Sequence, residues 1–117
     1  AEDIDSINAW GPGHRMIDAA EATAMRKLFG DRLTEISVVS LKGAIGSALG
    51  AAPAIQVGAA ALAQRMGVLP PTANWSRPDP ACPLNLCNKP RYVDQQAVLV
   101  NSHGVGNVNS CMVLEQC

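Results

Sequence analysis

Histidine, lysine and cysteine are the side chains of this 117-residue chain that we consider first for covalent or proton-transfer chemistry. Histidine occurs twice, as His14 and His103, and an imidazole can act as a general acid or base near neutral pH. Lys42 follows a β-rich stretch and is a third candidate. The remaining candidates are thiols, which act as nucleophiles or metal ligands when ionised: Cys82, Cys87, Cys111 and Cys117.

The spacing of these residues does not fit a common metal or cofactor motif. Cys82 and Cys87 are separated by four residues, and no second pair with the spacing of a structural zinc site accompanies them. Gly104 and Gly106 form a short glycine pattern, but it lacks the third glycine and the following helix of a dinucleotide-binding loop. We therefore predict no metal site and no bound cofactor.

Composition and charge narrow the class of protein. The chain is long enough for one domain or for half of a larger one. Hydrophobic residues make up 48% of it but aromatics only 3%, so a core must be built from small aliphatic side chains by close backbone packing.

The net charge of −1 comes with no basic stripe and no polybasic segment, so we predict neither a nucleic-acid partner nor an anionic membrane partner. The four cysteines are too sparse for a disulfide-stapled secreted domain. The first ten residues carry three acids and no basic group, unlike a signal peptide. The expected setting is reduced and cytoplasmic.

The first third of the chain predicts alternating strands and helices. Residues 5–9 are typical of a short strand, and residues 18–29 consist of strong helix formers ending at Gly30, a plausible C-cap. Acids lie near the start of that helix and bases near its end, as the helix dipole favours. Residues 35–40 are β-rich and predict a buried strand.

The stretch 42–65 is rich in alanine and glycine, and 22 residues without formal charge separate Lys42 from Arg65. A transmembrane helix has to be considered, since about 20 apolar residues can span a bilayer. Gln56, Pro53 and three glycines are unfavourable in lipid, and few residues here are strongly apolar. Small residues also allow close helix contacts in a water-soluble core, so we predict one long helix buried between layers.

The last third predicts an irregular crossing and a hairpin. Residues 68–83 hold five of the eight prolines, which excludes a regular helix interior. Residues 96–101 and 110–115 predict two strands joined by a glycine-bearing turn at 102–109. The order of elements predicts an α/β fold with a mixed sheet.

Four short motifs lie in order along the chain. They are residues 8–14 (NAWGPGH), 42–53 (KGAIGSALGAAP), 67–80 (GVLPPTANWSRPDP) and 101–109 (NSHGVGNVN). With Asp18 and Glu21 following the first, they resemble the C-terminal half of β-ketoacyl synthases, in register from residue 4 to residue 115. The resemblance implies a thiolase-like half-domain over residues 1–117, with a mixed sheet and a buried Ala/Gly-rich helix.

The resemblance also implies a degenerate site. Trp10 and Ser47 stand where the family has two histidines that polarise a thioester carbonyl, and an indole has no basic nitrogen. The family's nucleophilic cysteine belongs to the first half of the fold, and none of the four cysteines here falls at a motif position. Losing one oxyanion donor costs roughly 3–4 kcal/mol, so we expect this chain alone to be inactive.

Other positions carry open alternatives. Pro12 and His14 replace two threonines that typically contact the pantetheine arm of the substrate. Lys42 is retained, either as a catalytic group or as a salt-bridged or solvated lysine. His103 replaces a gating phenylalanine, either as a catalytic imidazole or as a hydrogen-bonded loop residue.

Three hypotheses follow from the resemblance. The first is a non-catalytic or strongly impaired half-domain of fatty-acid or polyketide-type biosynthesis. It would pair with an N-terminal ketosynthase half or an active ketosynthase, as chain-length factors do, with acyl carrier protein as a further partner. The second is a condensing enzyme with altered chemistry, using His14 or His103 with Lys42. The third is an isolated interaction domain. We expect a homo- or hetero-oligomer, because a lone half-fold leaves apolar surface exposed.

Overall fold

The computed structural model describes residues 2–116. Its elements in chain order are β1 (Ser6–Asn8), α1 (Arg15–Phe29), β2 (Ser37–Val39), α2 (Lys42–Ile45), α3 (Ala52–Met66), β3 (Val68–Leu69), β4 (Arg91–Tyr92), β5 (Ala97–Gly104) and β6 (Val108–Glu115). Two 3₁₀ helices, Gly30–Thr34 and Leu49–Ala51, follow α1 and precede α3.

A mixed sheet of order β2-β1-β5-β6 is the framework of the chain. Strand β1 runs parallel to both β2 and β5, with Ile7 opposite Val38 on one side and Leu99 on the other. Strand β6 pairs antiparallel with β5 over eight residues and forms one edge of this sheet. The predicted α/β class with a mixed sheet is thereby confirmed.

Alternating side chains place a layer on each face of the sheet. Ile7, Val38 and Leu99 share one buried cluster with Met25 and Phe29 of α1. The neighbours of Leu99 in β5 point the other way, because successive strand residues alternate between faces, and Val98 and Val100 pack with Ala60 of α3. The chain is therefore layered as helix, sheet and helix.

The prediction of one continuous helix over residues 42–65 is wrong, because this stretch forms two separate helices, α2 and α3. Gly46 has φ of 72° and Leu49 has φ of 50°, so the backbone leaves the right-handed helical region twice between α2 and α3. Helix α3 starts afresh at Ala52, with Pro53 in its first turn, where proline's missing N–H costs no hydrogen bond.

The prediction that this helix is buried between layers holds for one face only. Ala52, Gln56, Ala60 and Ala63 of α3 are buried against the sheet. An adjacent face of the helix exposes 41% of Ile55, 56% of Leu62 and 63% of Met66. Within residues 2–116, the helices are too short or too polar to cross a lipid bilayer.

The remaining elements match the predictions in kind and differ in length. Helix α1 begins three residues before the predicted start, and the β5-β6 hairpin is longer, with its turn reduced to residues 105–107. Gly106 and Asn107 both have positive φ there, which a tight hairpin turn requires. The predicted crossing over residues 68–83 begins with β3, which pairs with β4, and is otherwise irregular.

Gly43 offers a test of close packing between α2 and the crossing. A Cβ at this position would lie 2.0 Å from the carbonyl oxygen of Ala73. We expect Gly43→Ala to lower the free energy of unfolding in urea by about 1–3 kcal/mol, because the backbone must move to relieve the clash.

The matched control is Gly58→Ala on α3, where an added Cβ meets no atom within 4 Å. That variant should be more stable than wild type by roughly 0.5–1 kcal/mol, since alanine loses less conformational freedom in a helix than glycine. Equal effects of the two substitutions would contradict the packing described here.

Candidate functional site

A cavity of about 530 Å³ opens at the carboxyl ends of β1 and β2. Its walls come from the loop after β1, the first turns of α1, the start of α2 and residues 72–86 of the crossing. In open parallel sheets this end of the strands is where ligands commonly bind. The cavity contains Lys42 among the residues predicted as site residues.

The crossing is fixed over the cavity by backbone hydrogen bonds. The Thr72 hydroxyl accepts from the Ser40 backbone N–H at 3.1 Å. The Thr72 N–H donates to the carbonyl of Cys87 at 2.9 Å, and the Asn74 amide donates to the Gly43 carbonyl at 2.7 Å. An irregular, proline-rich segment thus forms a defined wall.

Glu21 is the most heavily hydrogen-bonded carboxylate at the site. It lies buried on α1 and accepts from the backbone N–H groups of Trp10 at 2.8 Å and Gly11 at 2.9 Å. The Asn101 side-chain amide donates to it at 2.5 Å. The sequence showed Glu21 only as a motif position, because its partners are backbone groups that carry no residue-type signal.

Lys42 lies at the base of the cavity and is only 8% exposed. Burial lowers the pKa of its ammonium, and the negative charge of Glu21 acts in the opposite direction. Its ammonium makes no hydrogen bond or ion pair with another residue in the part of the chain that the structure describes. The ammonium is not among the buried polar atoms that lack a partner, so it is open to the cavity.

Asp18 lies on the first turns of α1 and also lines the cavity. Burial raises the pKa of its carboxyl, while hydrogen bonds from the backbone N–H groups of Gly13 and His14 act to lower the pKa. Its Oδ1 is buried and has no hydrogen-bond partner. The cavity wall therefore carries one unsatisfied acceptor as well as an unpaired cation.

Trp10 and His103 contact each other beside the cavity. Their ring centroids are 5.0 Å apart, and the rings meet edge to face at 66°. His103 Nε2 lies 3.0 Å from the Asn101 amide nitrogen, and Nδ1 lies 2.6 Å from the Asn109 side-chain oxygen. An imidazole with its proton on Nδ1 satisfies both contacts, so neither ring nitrogen is left for a substrate.

Ser47 and His14 are not brought to this cavity. Ser47 is exposed between α2 and the following 3₁₀ helix, and His14 is exposed at the N-terminal end of α1. The cavity lining includes Pro12 but not Trp10, Ser47, His14 or His103. The structure thus separates the predicted site residues into three places: the Lys42 cavity, the Trp10–His103 contact and the exposed loops.

The cysteines give no clear nucleophile. Cys82, Cys87 and Cys111 are free thiols, and Cys117 lies outside the described residues. Cys82 lines the cavity, but burial and then the nearby Asp79 carboxylate raise the pKa of its thiol. A raised pKa leaves less of the thiolate that attacks a thioester.

Comparisons with a family model and with curated proteins point to the same protein family. Residues 1–76 match the family model described as the beta-ketoacyl synthase, C-terminal domain. Nodulation protein E of Rhizobium meliloti is 37% identical over 117 residues, a match that covers 99% of this chain and 29% of that protein. The chain thus spans less than a third of the length of this curated relative.

Solved structures agree over nearly the whole chain. The ishigamide ketosynthase/chain length factor superposes with a TM-score of 0.93 at 33% identity, covering 99% of this chain and 28% of that one. A type II polyketide synthase acyl-carrier protein in complex with its ketosynthase, AntDE:AntF, gives a TM-score of 0.95 at 29% identity, with 99% and 29% coverage.

The burial of Lys42 generates a pH-dependent prediction. Lys42→Met removes an ammonium that burial of the side chain partly desolvates, so the variant should unfold at higher urea concentration than wild type at pH 7. Because burial lowers the pKa of Lys42, the folded protein loses this proton at lower pH than the unfolded chain. Wild type should therefore gain stability relative to the variant as pH rises toward the ordinary lysine value of 10.5.

The control is Lys89→Met, at an exposed lysine outside the cavity. Its difference from wild type should stay constant over the same pH range. A Lys42→Met variant less stable than wild type at pH 7, or a difference that does not narrow with pH, would contradict the desolvation of this ammonium.

Proposed function

We infer that this chain, which belongs to the beta-ketoacyl synthase family and matches its C-terminal domain, is the C-terminal half of a ketosynthase-like subunit. We propose that it has no condensing activity of its own. Family membership confirms the resemblance that the four motifs predicted, and the solved neighbours confirm the thiolase-like fold. Residues 1–117 would act as one half-domain in fatty-acid or polyketide-type biosynthesis.

The main support for this proposal is the presence of Trp10, an indole, at a position where the family has a histidine. The motif places Trp10 at the position of the family's first histidine, and an indole offers one N–H donor and no basic nitrogen. Its backbone is held by Glu21 and its ring contacts His103. We infer that this side chain cannot transfer a proton to or from a thioester enolate.

Ser47 supports the same conclusion at the second histidine position. Its side chain is exposed and lies outside the cavity that holds Lys42. A serine hydroxyl does not titrate near neutral pH, and removing one oxyanion donor typically costs a factor of 10²–10³ in rate. Two such losses should leave little condensation even when the N-terminal half is supplied.

The second hypothesis, an enzyme with altered chemistry, finds less support. His103 uses both ring nitrogens in hydrogen bonds to Asn101 and Asn109, and His14 is exposed away from Lys42. A base must reach the proton that it abstracts, and neither imidazole shares the cavity of Lys42.

An exposed apolar face of α3, next to its buried face, supports pairing with another ketosynthase half. Ile55, Leu62 and Met66 are spaced by seven and four residues, so they form one apolar stripe along the helix. Ile45 and Leu49, which are 58% and 74% exposed, add to the apolar surface before it. A partner that covers this surface would remove it from water, the main favourable term in association.

The solved neighbours indicate which classes of partner to test. They include a ketosynthase/chain length factor and an acyl-carrier protein in complex with its ketosynthase. We propose an N-terminal ketosynthase half or a ketosynthase homologue as the protein that covers α3. An acyl carrier protein would be the further partner of the assembled subunit.

The catalytic part of the proposal is tested by restoring the histidines. With a cysteine-bearing N-terminal half supplied in trans, wild type should give no condensation above background. Trp10→His combined with Ser47→His should raise the rate of product formation by about two orders of magnitude or more. Thr23→His, at an exposed position of α1, is the control and should change nothing.

Acyl-thioester trapping followed by intact-mass measurement separates the alternatives. We expect any covalent adduct on the N-terminal half and none on this chain. A stoichiometric adduct on this chain, or condensation by wild type at the rate of the double variant, would overturn the inactive assignment.

The pairing part of the proposal is tested by charging the α3 stripe. Wild type should self-associate, or bind the N-terminal half, in sedimentation velocity. Ile55→Glu with Leu62→Glu should abolish that association, because two carboxylates would have to lose water in the contact. Leu28→Glu is the matched control on α1, where Leu28 is also 60% exposed, and should associate as wild type does. A compact, stable wild-type monomer that binds no ketosynthase half would favour the isolated interaction domain instead.

A further inference from the structure

We propose that the edge of β6 that faces away from β5 binds the same edge of a second copy of this chain. The two β6 strands run antiparallel about a two-fold axis at Met112, so that one sheet continues through both molecules. This contact is separate from the pairing proposed for α3 and does not depend on the proposed function.

The pairing of β6 with β5 determines which of its main-chain groups point outward. Glu115 lies opposite Ala97. One residue further, the Gln116 N–H donates to the Gln96 carbonyl at 2.9 Å, so this is a hydrogen-bonded pair. Hydrogen-bonded and non-hydrogen-bonded pairs alternate in antiparallel strands, so the even-numbered residues of β6 bond to β5. The N–H and carbonyl groups at the free edge belong to the odd-numbered residues, Asn109, Cys111, Val113 and Glu115.

Only some registers bring these outward groups together in a two-fold contact. Each odd-numbered residue must lie opposite another odd-numbered residue, because the even-numbered ones have their main-chain groups turned to β5. Two such registers pair seven consecutive residues of the strand. One pairs residues 108–114 with the axis at Cys111, and the other pairs residues 109–115 with the axis at Met112.

The side chains favour the axis at Met112, which places Asn109 opposite Glu115 of the second copy. The Asn109 oxygen is bound to His103 Nδ1 at 2.6 Å, and its Nδ2 makes no hydrogen bond within residues 2–116. This nitrogen can therefore donate to the carboxylate of the second copy. The contact contains this hydrogen bond twice, once on each side of the axis.

The axis at Cys111 lacks this complementarity. Asn109 would lie opposite Val113, whose side chain offers no acceptor to the amide. Glu115 would lie beyond the paired residues, opposite Asn107 in the hairpin turn. The arrangement of polar groups along β6 thus selects between the two registers.

The Met112 register also covers apolar side chains and separates the charges. Met112 faces its own copy, and Val113 faces Cys111 of the second copy; the first two are 49% and 48% exposed in the single chain. Glu115 lies opposite residue 109, so the two carboxylates are six residues apart along the strands, about 20 Å. Like charges therefore do not face each other, an arrangement that would destabilise the pair.

The surface is tested by sedimentation velocity on a chain that carries Ile55→Glu and Leu62→Glu, which remove the α3 contact. This chain should dimerise at high concentration, because main-chain hydrogen bonds that replace bonds to water contribute little and the contact is weak. Adding Met112→Lys should lower the association constant at least tenfold, since two ammonium groups meet at the axis. Leu28→Lys, at an apolar residue of α1 that is 60% exposed, is the matched control and should change nothing.

The register is tested by disulfide formation with oxidised glutathione in the same chain, with Cys111→Ser and Cys117→Ser added. Met112→Cys places two thiols in a non-hydrogen-bonded pair with Cα atoms about 4.5 Å apart, a separation that a disulfide can span. A covalent dimer should form. Ser110→Cys places its two thiols four residues apart along the strands, about 13 Å, and should give none.

Three outcomes would overturn the proposal. A parent chain that stays monomeric at every concentration, or a Met112→Lys variant that associates as its parent does, would exclude the surface. A disulfide from Ser110→Cys in place of Met112→Cys would exclude the register. A Met112→Cys disulfide that is lost when an N-terminal ketosynthase half is added would assign the edge to that half instead of a second copy.

Discussion

The carboxylate of Glu21 is the interaction on which the arrangement of the site depends. It joins the residues that follow β1, through the N–H groups of Trp10 and Gly11, to the middle of β5, through the Asn101 side chain. The parallel pairing of β1 with β5 ends at Asn8 and Val100, just before these residues. One buried charge on α1 therefore fixes the loop that carries Trp10, the strand that carries His103 and the helix itself. Hydrogen bonds to a charged acceptor are about twice as strong as neutral ones, which suits a single residue to this task.

On the face of the sheet opposite α1, helix α3 is held by hydrogen bonds from glutamine side-chain amides. Alanines of α3 bury little surface, so apolar contact alone fixes this helix weakly. Gln56 is buried, and its Nε2 donates to the carbonyls of Ala9 and Asn101 at 3.0 and 3.1 Å. Gln64, two turns later, donates to the carbonyls of Gln95 and Leu114, each at 3.1 Å. These two glutamines set the position of α3 along the strands, and the small side chains between them permit the close approach.

The sequence predicted the order and type of the elements because their signals are local. Strong helix formers in α1, β-branched residues in β2 and β5, and glycine in the hairpin turn each act within a few residues. The break between α2 and α3 was missed, because Leu49 adopts a positive φ that its residue type does not favour. The sequence also did not predict that the candidate site residues would lie in three separate parts of the structure. Motif spacing gives positions along the chain, whereas the exposure of Ser47 and the pairing of His103 depend on contacts between distant segments.

The free side of β6 has a consequence for how this chain behaves in water. Within residues 2–116, its eight residues leave a row of main-chain donors and acceptors without strand partners on that side, and Glu115 is the lone charged residue among them. Natural sheets usually guard such borders with lysine, proline or a bulge, none of which occurs between Val108 and Glu115. A second polypeptide can therefore continue the sheet at this border, and the exposed thiol of Cys111 lies on the same strand. Concentrated preparations would then favour strand-to-strand joining.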